Sequence, residues 1–198
     1  MRIIAGKLKG RKIISAPLGH LRPTLGRVKE TLFAILENYI SLEDASVLDI
    51  FAGTGNLGFE ALSRGGASVT FIEEHPDSLK LIAENASLFH VENCIVALRT
   101  DCFRGIDLLA AQEKTFDVIF MDPPFRKDYM NRILEESKIA GLLAPGGILF
   151  CETEKKHELR LPKGWELLRE RQIADSRLYF LKRSEEEGNE KRVVSGDI

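Results

Sequence analysis

The run Val47-Leu48-Asp49-Ile50-Phe51 leads without interruption into Ala52-Gly53-Thr54-Gly55-Asn56-Leu57-Gly58 and then into the helix-prone Phe59-Glu60-Ala61-Leu62. An apolar strand, a turn with glycines at 53, 55 and 58, and a helix form the first half of a β-α-β unit. Such units build sheets whose strands run parallel. Glycine lets the backbone bend sharply and approach a ligand, and the first N–H groups of the following helix are left unpaired. The same alternation continues along the chain. Ser46 to Phe51, Ser68 to Ile72, Cys94 to Leu98, Phe116 to Met121 and Ile148 to Cys151 are candidate strands, with helical stretches such as Pro76 to Phe89 and Tyr129 to Ala140 between them. Strands such as Val118-Ile119-Phe120-Met121 are apolar nearly throughout, as strands covered on both faces must be. Trp165 to Leu168 and Arg177 to Leu181 are strand-like and close together, which predicts an antiparallel pair at one edge. The expected fold is α/β, a doubly wound, mostly parallel, seven-stranded Rossmann-like sheet.

A chain of 198 residues, 44% apolar, suits one compact domain. No apolar run approaches the roughly 18 to 20 residues of a membrane-spanning helix. The start Met1-Arg2-Ile3-Ile4-Ala5-Gly6 lacks the long apolar core of a secretory signal. A soluble, cytoplasmic, monomeric protein without a membrane partner is expected. Cys94, Cys102 and Cys151 have no CxxC spacing and the four histidines are scattered among polar stretches, so no metal site is expected.

The glycine turn points to a nucleotide-like cofactor. Glu73 and Glu74 close the next strand about 20 residues on, where a carboxylate accepts from ribose hydroxyls. No Gly-Lys-Ser or Gly-Lys-Thr follows the glycines, which excludes a phosphate-binding P-loop. NAD and S-adenosylmethionine (AdoMet) both fit that pattern. Asp49 favours AdoMet, because a carboxylate before the turn suits an ammonium and a sulfonium and repels a pyrophosphate. Asp101, just after the third strand, can meet the adenine edge.

The fourth strand ends in Asp122-Pro123-Pro124-Phe125. In an open α/β sheet, ligands bind beyond the carboxyl ends of the strands, so this turn and Gly53 to Gly58 should share a crevice. Prolines lack N–H groups and fix φ, which leaves the carbonyls of Asp122 and Pro123 as rigid acceptors. With the Asp122 carboxylate they suit an NH2 group gripped by its hydrogens, and Phe125 can stack on the ring that bears it. This chemistry fits methylation of an exocyclic base amine. Hydrogen bonds from the amine free its lone pair for in-line attack on the sulfonium methyl, and the carboxylate can take the released proton.

The formal net charge of −2 conceals an uneven distribution. The first 29 residues hold eight Lys or Arg and no Asp or Glu, leaving 20 Lys or Arg against 30 Asp or Glu in the rest. A basic arm at +8 thus precedes a body at −10. Cations that face only water repel one another, so a polyanion such as RNA is the expected partner. Ile3 to Ala5 and Lys12 to Ser15 suggest a hairpin. Pro17, Gly19 and Pro23 mark a loop, and Thr24 is placed to cap a helix carrying Val28, Leu32, Phe33, Leu36 and Ile40. Residues 1–40 are therefore read as an RNA-binding hairpin and helix extension, 41–183 as the AdoMet-dependent domain and 184–198 as a disordered tail. Arg22 and Arg27 can clamp phosphates near the target base, with Thr24 between them. Lys7, Lys9, Arg11 and Lys12 can track a strand farther away, and Arg2 belongs to the same RNA-binding set.

These motifs resemble the class I AdoMet-dependent methyltransferases that act on nucleobase amines. The match is closest to the bacterial 16S rRNA guanine-N2 methyltransferases, the D type among those that modify small-subunit rRNA. It rests on Arg2 to Gly6 with Gly10 to Lys12, on Leu21-Arg22-Pro23-Thr24 with Arg27 to Phe33, on Leu48 to Gly55 with Leu57-Gly58, and on Asp122 to Phe125. The resemblance implies that Asp49, Gly53 and Gly55 bind AdoMet, Glu73 its ribose and Asp101 its adenine amine, with Phe51, Thr54 and Cys102 completing that set. It implies that Asp122, Pro123, Pro124 and Phe125 receive guanine in 16S rRNA or a 30S particle, with S-adenosylhomocysteine as product. The alternative is an adenine-N6 methyltransferase of DNA or RNA that uses the same Asp-Pro-Pro-Phe chemistry.

Overall fold

In the computed structural model, residues 1–15, 24–124 and 128–184 are described. The elements in chain order are α1 (Thr24–Leu36), β1 (Ser46–Ile50), α2 (Asn56–Ser63), β2 (Ser68–Glu73), α3 (Pro76–Phe89), β3 (Ile95–Arg99), α4 (Cys102–Ala111), β4 (Phe116–Met121), α5 (Tyr129–Glu135), α6 (Ser137–Leu142), β5 (Leu143–Glu154), β6 (Trp165–Ile173) and β7 (Ser176–Arg183). One seven-stranded sheet has the order β3-β2-β1-β4-β5-β7-β6. β1 to β5 pair in parallel, and β7 runs antiparallel to both β5 and β6. The doubly wound α/β expectation holds. The terminal pair is more particular than the sequence suggests, because the last strand inserts between β5 and β6.

Alternation along each central strand builds two cores. Val47, Phe71, Phe120, Phe150 and Phe180 bury one face together with Phe33 and Leu36 of α1, Phe59 of α2 and Phe89 of α3. Leu48, Ile72, Ile119, Met121, Leu149 and Leu181 bury the other against Ile106 of α4, Ile133 of α5 and Ile139 of α6. Two expected helices end differently. The stretch Tyr129 to Ala140 is broken at Glu136, whose extended backbone separates α5 from α6. The break lets Ile133 and Leu134 on one side and Ile139 and Leu142 on the other reach the same core. α1 stops at Leu36, and Ile40 lies beyond the turn that follows it.

The basic arm is pinned to this body. Arg2 and Lys12 form a single antiparallel bridge, so the expected hairpin is reduced to its minimum. Ile3 and Ile13 are buried in the core shared with α1 and α2. Glu60 of α2 is fully buried and accepts from the N–H groups of Ile4 at 2.8 Å and Ala5 at 3.0 Å. It also pairs with Lys29 of α1 and with Arg64, each at 3.0 Å. Lys29 further donates to Arg2 O at 2.6 Å and to Asn56 Oδ1 at 3.0 Å. Counting Lys29 among the outward cations of the arm is therefore corrected. It is a buried partner of Glu60, and burial draws its pKa below the usual lysine range despite that carboxylate.

Gly6 is required where the arm crosses α2. It has φ +79°, and a Cβ there would lie 1.7 Å from the Ser63 carbonyl oxygen. Ser63 fixes the same crossing, with Oγ accepting from Leu8 N–H at 2.9 Å and the carbonyl accepting from Lys7 N–H at 2.6 Å.

Candidate active site

β1 and β4 are neighbours whose following helices pack on opposite faces of the sheet, so a crevice opens beyond their carboxyl ends. Phe51 turns the chain out of β1 with a left-handed φ of 64°, uncommon for an aromatic residue. Gly53 and Gly55 follow at φ +55° and +78°. A Cβ on Gly53 would meet nothing within 4 Å, so that position is open to a ligand. Cβ atoms on Gly55 and Gly58 would instead strike the Phe59 ring at 2.6 Å and the Phe71 ring at 2.4 Å. These two glycines serve helix packing, and Gly53 serves the crevice.

Two cavities flank this turn. One, of about 500 Å3, is lined by Phe51, Gly53, Glu73, Asp101, Cys102, Tyr129 and others, and it reaches Asp122 and Pro124. The other, of about 360 Å3, lies toward the arm between Lys29 and Leu32 of α1, Thr54, Asn56, Asp49, Asp122 and Glu152. Phe51, Gly53 and Asp122 border both. Seven of the eight residues expected to bind the cofactor line one cavity or the other; the eighth, Gly55, lines neither and packs against Phe59. Phe51 is braced by the Tyr129 ring, with centroids 5.0 Å apart.

The carboxylates here are already partly occupied. Glu73 accepts from Gly53 N–H at 2.7 Å through one oxygen and from His75 N–H at 2.8 Å through the other, so it shapes the glycine turn as well as facing the cavity. Asp101 caps α4 by accepting from Arg104 N–H at 3.1 Å. Asp49 is buried and accepts from Gly58 N–H at 2.9 Å. Burial raises the Asp49 pKa to about 8, helped by the charge of Glu73 and opposed by the Gly58 N–H. Cys102, at the start of α4, is buried, and that burial together with the Asp101 charge raises its pKa to about 11. Its sulfur is a neutral thiol at the cavity wall.

Asp122 follows β4 with Pro123 buried beneath it. Asp122 is exposed to the crevice, whose walls crowd its carboxylate. That confinement, with the negative charges of Glu152 and Asp49, raises its pKa well above the ordinary carboxylate range. Glu152, on β5, has no counterpart in the sequence-based site. It is buried at 7% exposure, lines the arm-side cavity, and accepts from Ser176 Oγ at 2.6 Å. Burial raises its pKa, and the Ser176 hydroxyl opposes the rise. Its signal in the sequence is an acid directly after the apolar run Ile148 to Cys151, on a strand that continues to Glu154. Tyr129, Ser78, Thr100 and Arg132 are further lining residues that no motif marked.

Arg2, Lys7, Lys9, Arg11, Lys12 and Arg27 are exposed, and none pairs with a carboxylate among the described residues. Arg11 donates to the carbonyl of Leu88 at 3.2 Å and Arg2 to that of Gly10 at 3.1 Å, which orients both while leaving their charges uncompensated. Phe125, Arg22 and the Thr24 side chain lie outside the described residues, as do residues 185–198 of the expected tail. Among the described residues no helix is long and apolar enough to cross a membrane, and no group of three or more metal-ligating side chains occurs.

The strand order, the glycine turn after β1 and the acidic turn after β4 define a class I methyltransferase fold of the Rossmann-like type, with AdoMet as the cofactor of that class. A family model described as "Conserved hypothetical protein 95" matches residues 1–182, and the chain belongs to that family. It is 36% identical over 193 residues to the ribosomal RNA small subunit methyltransferase D of Haemophilus influenzae, covering 90% of this chain and 93% of the relative. It is 34% identical over 189 residues to the protein of that name from Escherichia coli K12, covering 95% and 92%. Among solved structures, yhhF of Escherichia coli, described there as a candidate methyltransferase, superposes with a TM-score of 0.78 at 31% identity, covering 94% of this chain and 99% of that one.

Proposed function

We propose that this protein transfers a methyl group from AdoMet to the exocyclic N2 amine of a guanine in 16S ribosomal RNA. The observation that carries the reading is the position of Asp122. It borders both the cavity that holds Glu73 and Asp101 and the cavity that faces the basic arm, so a cofactor on one side and a base on the other would meet beside it. Relatives at 34% and 36% identity bear the name of a small-subunit rRNA methyltransferase, which supports rRNA as the substrate class. The arm supports the same reading, with six exposed cations, Arg2, Lys7, Lys9, Arg11, Lys12 and Arg27, that have no carboxylate partner among the described residues. Arg22 and Thr24 extend that surface in the proposal.

When bound, AdoMet supplies an electrophilic methyl group on a sulfonium and leaves as S-adenosylhomocysteine. Glu73 and Asp101, turned toward the larger cavity, are suited to the ribose hydroxyls and the adenine amine. Asp49 is suited to the ammonium of the amino-acid moiety. Its raised pKa marks a carboxylate that lacks a compensating cation until one binds. At the other end, Asp122 and the carbonyls held rigid by Pro123 and Pro124 would accept hydrogen bonds from the target amine, with Phe125 stacking on its ring. As the N2 lone pair forms its bond to the methyl carbon, the carbon–sulfur bond breaks and its electron pair stays on sulfur. The positive charge then rests on N2, and its proton passes to the Asp122 carboxylate or through it to water. An amine buried in a duplex is out of reach of this crevice, so a loop or flipped-out guanine is the expected target.

The test is labelled-methyl transfer to rRNA and to 30S particles from cells that lack the protein, followed by digestion to nucleosides. N2-methylguanosine is expected. N6-methyladenosine in its place would overturn the assignment in favour of the adenine reading.

A further inference from the structure

Strand alternation places three carboxylates on one face of the sheet. Leu48, Met121 and Cys151 point into the core against α4 to α6, so Asp49, Asp122 and Glu152, each one residue further along, point to the opposite face, where the arm and α1 lie. The parallel register pairs Met121 with Cys151, which makes Asp122 and Glu152 neighbours on adjacent strands, roughly 4.8 Å apart at the backbone. Glu152 is buried, and Ser176 holds one of its oxygens while the other has no hydrogen-bond partner among the described residues. A buried acceptor that is fixed at one end and free at the other, at a cavity wall beside Asp122, is a feature the transfer step itself does not need.

We infer that Glu152 reads the identity of the target base. This rests on the reaction proposed above. Guanine presents two adjacent donors on its Watson–Crick edge, the N2 amine and N1–H. With the amine on Asp122, the neighbouring N1–H falls to the free oxygen of Glu152. Adenine presents its amine beside a bare N1 lone pair, which a carboxylate repels. The side-by-side carboxylates thus select a donor–donor edge and reject a donor–acceptor edge. A polar site built to bind one hydrogen-bonding group strongly rejects an analogue that lacks it. Ser176 is the positioning residue, because its hydroxyl fixes the carboxylate in register.

The experiment compares two rRNAs, assembled by ligation once the modified nucleotide is mapped. One carries guanine at that position and the other 2-aminopurine, which keeps the exocyclic amine and presents a lone pair at N1. Wild-type protein should use guanine with a kcat/KM at least about 100-fold above that for 2-aminopurine. Glu152→Gln should lose about 10- to 100-fold on guanine, and its preference should narrow at least tenfold, because the carboxamide can turn its NH2 toward the bare N1. AdoMet affinity of the variant, measured by calorimetry, should stay within about twofold of wild type. Equal use of the two RNAs by the wild type would overturn the inference without any variant, and so would a Glu152→Gln variant that loses the same factor on both. A wild-type protein that yields no N2-methylguanosine on the guanine RNA would instead overturn the reaction itself.

Discussion

Glu60, fully buried, and Asp122, exposed to the crevice, are acids that the fold treats in opposite ways. Glu60 lies where the arm crosses α2, and its two oxygens meet two backbone N–H groups and two cations. Asp122 lies at the crevice with Glu152 and Asp49 as neighbours, and their charges add to the cost of ionising it. Enclosing a carboxylate is costly unless hydrogen bonds and opposite charges replace water. At Glu60 the fold supplies those partners. At Asp122 it withholds them and sets two acids beside it, so a ligand that covers the crevice must bring the compensation. The first acid holds two parts of the chain together, and the second waits for a cationic cofactor and a base amine.

The widest separation of the two sites comes from removing each acid. Asp122→Asn should lower methyl transfer by about 10²- to 10⁴-fold, the range of general acid–base and positioning contributions. It should leave the melting midpoint unchanged or raised, since a repelled charge is lost. A drop in melting temperature would show that Asp122 supports the fold. Glu60→Ala should do the reverse. It strands Lys29 in the interior, which costs about 3–5 kcal/mol, or roughly 6–20 °C in melting midpoint for a chain of this size. Replacing both members of that pair, with Lys29→Met beside Glu60→Leu, should recover a good part of the loss in calorimetry. No recovery would mean that the two backbone N–H groups of Ile4 and Ala5, and not the ion pair, set the value of Glu60.

The contrast also shows what a linear chain displays. The sheet was legible because its central strands are apolar on both faces and its turns are marked by Gly53, Gly55 and the Pro123-Pro124 pair, all local signals. The cofactor side of the crevice was legible for the same reason, since Asp49, Glu73 and Asp101 lie at or just past the carboxyl ends of strands. Glu60 was not, because three of its four partners stand 31, 55 and 56 residues away at Lys29, Ala5 and Ile4, and only Arg64 is local. A glutamate on a short helix gives no sign that an arm will cover it. Glu152 escaped for a related reason: its meaning depends on the register of β5 against β4 and on Ser176 across the β5–β7 pair, and both are set by pairing between strands. Composition counts Lys29 with the other cations of the arm without saying which way each faces, and this one faces inward.

Protons give a smaller and more graded effect. Asp49 holds its proton in the folded protein up to about pH 8, whereas in the unfolded chain it would lose it near 3.8. Across that window the folded state binds more protons than the unfolded one, so stability falls as pH rises. The contribution is whole below about pH 4 and gone above about pH 8, with a slope of up to about 1.4 kcal/mol per pH unit for one proton. Thermal melts of Asp49→Asn should show a flatter pH dependence than wild type from pH 5 to 8. If AdoMet's ammonium meets this carboxylate, its binding should release a proton and tighten between pH 6 and 7.5, visible as buffer-dependent heats in calorimetry. Heats that do not depend on the buffer would place the ammonium elsewhere.

The smallest effect expected is at the arm, where the comparison becomes one between cations. Lys29 is inside and paired, whereas Lys7, Lys9 and Lys12 are outside and unpaired among the described residues. Each phosphate contact releases counterions, so removing one should lower the slope of log affinity against log salt by about 0.7 to 0.9. Lys7→Ala, Lys9→Ala and Lys12→Ala should each weaken rRNA binding a few-fold at moderate salt, reduce that slope, and shift stability by no more than about 0.5 kcal/mol. Lys29→Ala should lower the melting midpoint and leave the slope alone. Filter binding over a salt series, set beside melts of the same four variants, makes the distinction. A slope untouched by the three surface variants would mean that the arm's charges solvate the protein and make no contact with phosphate.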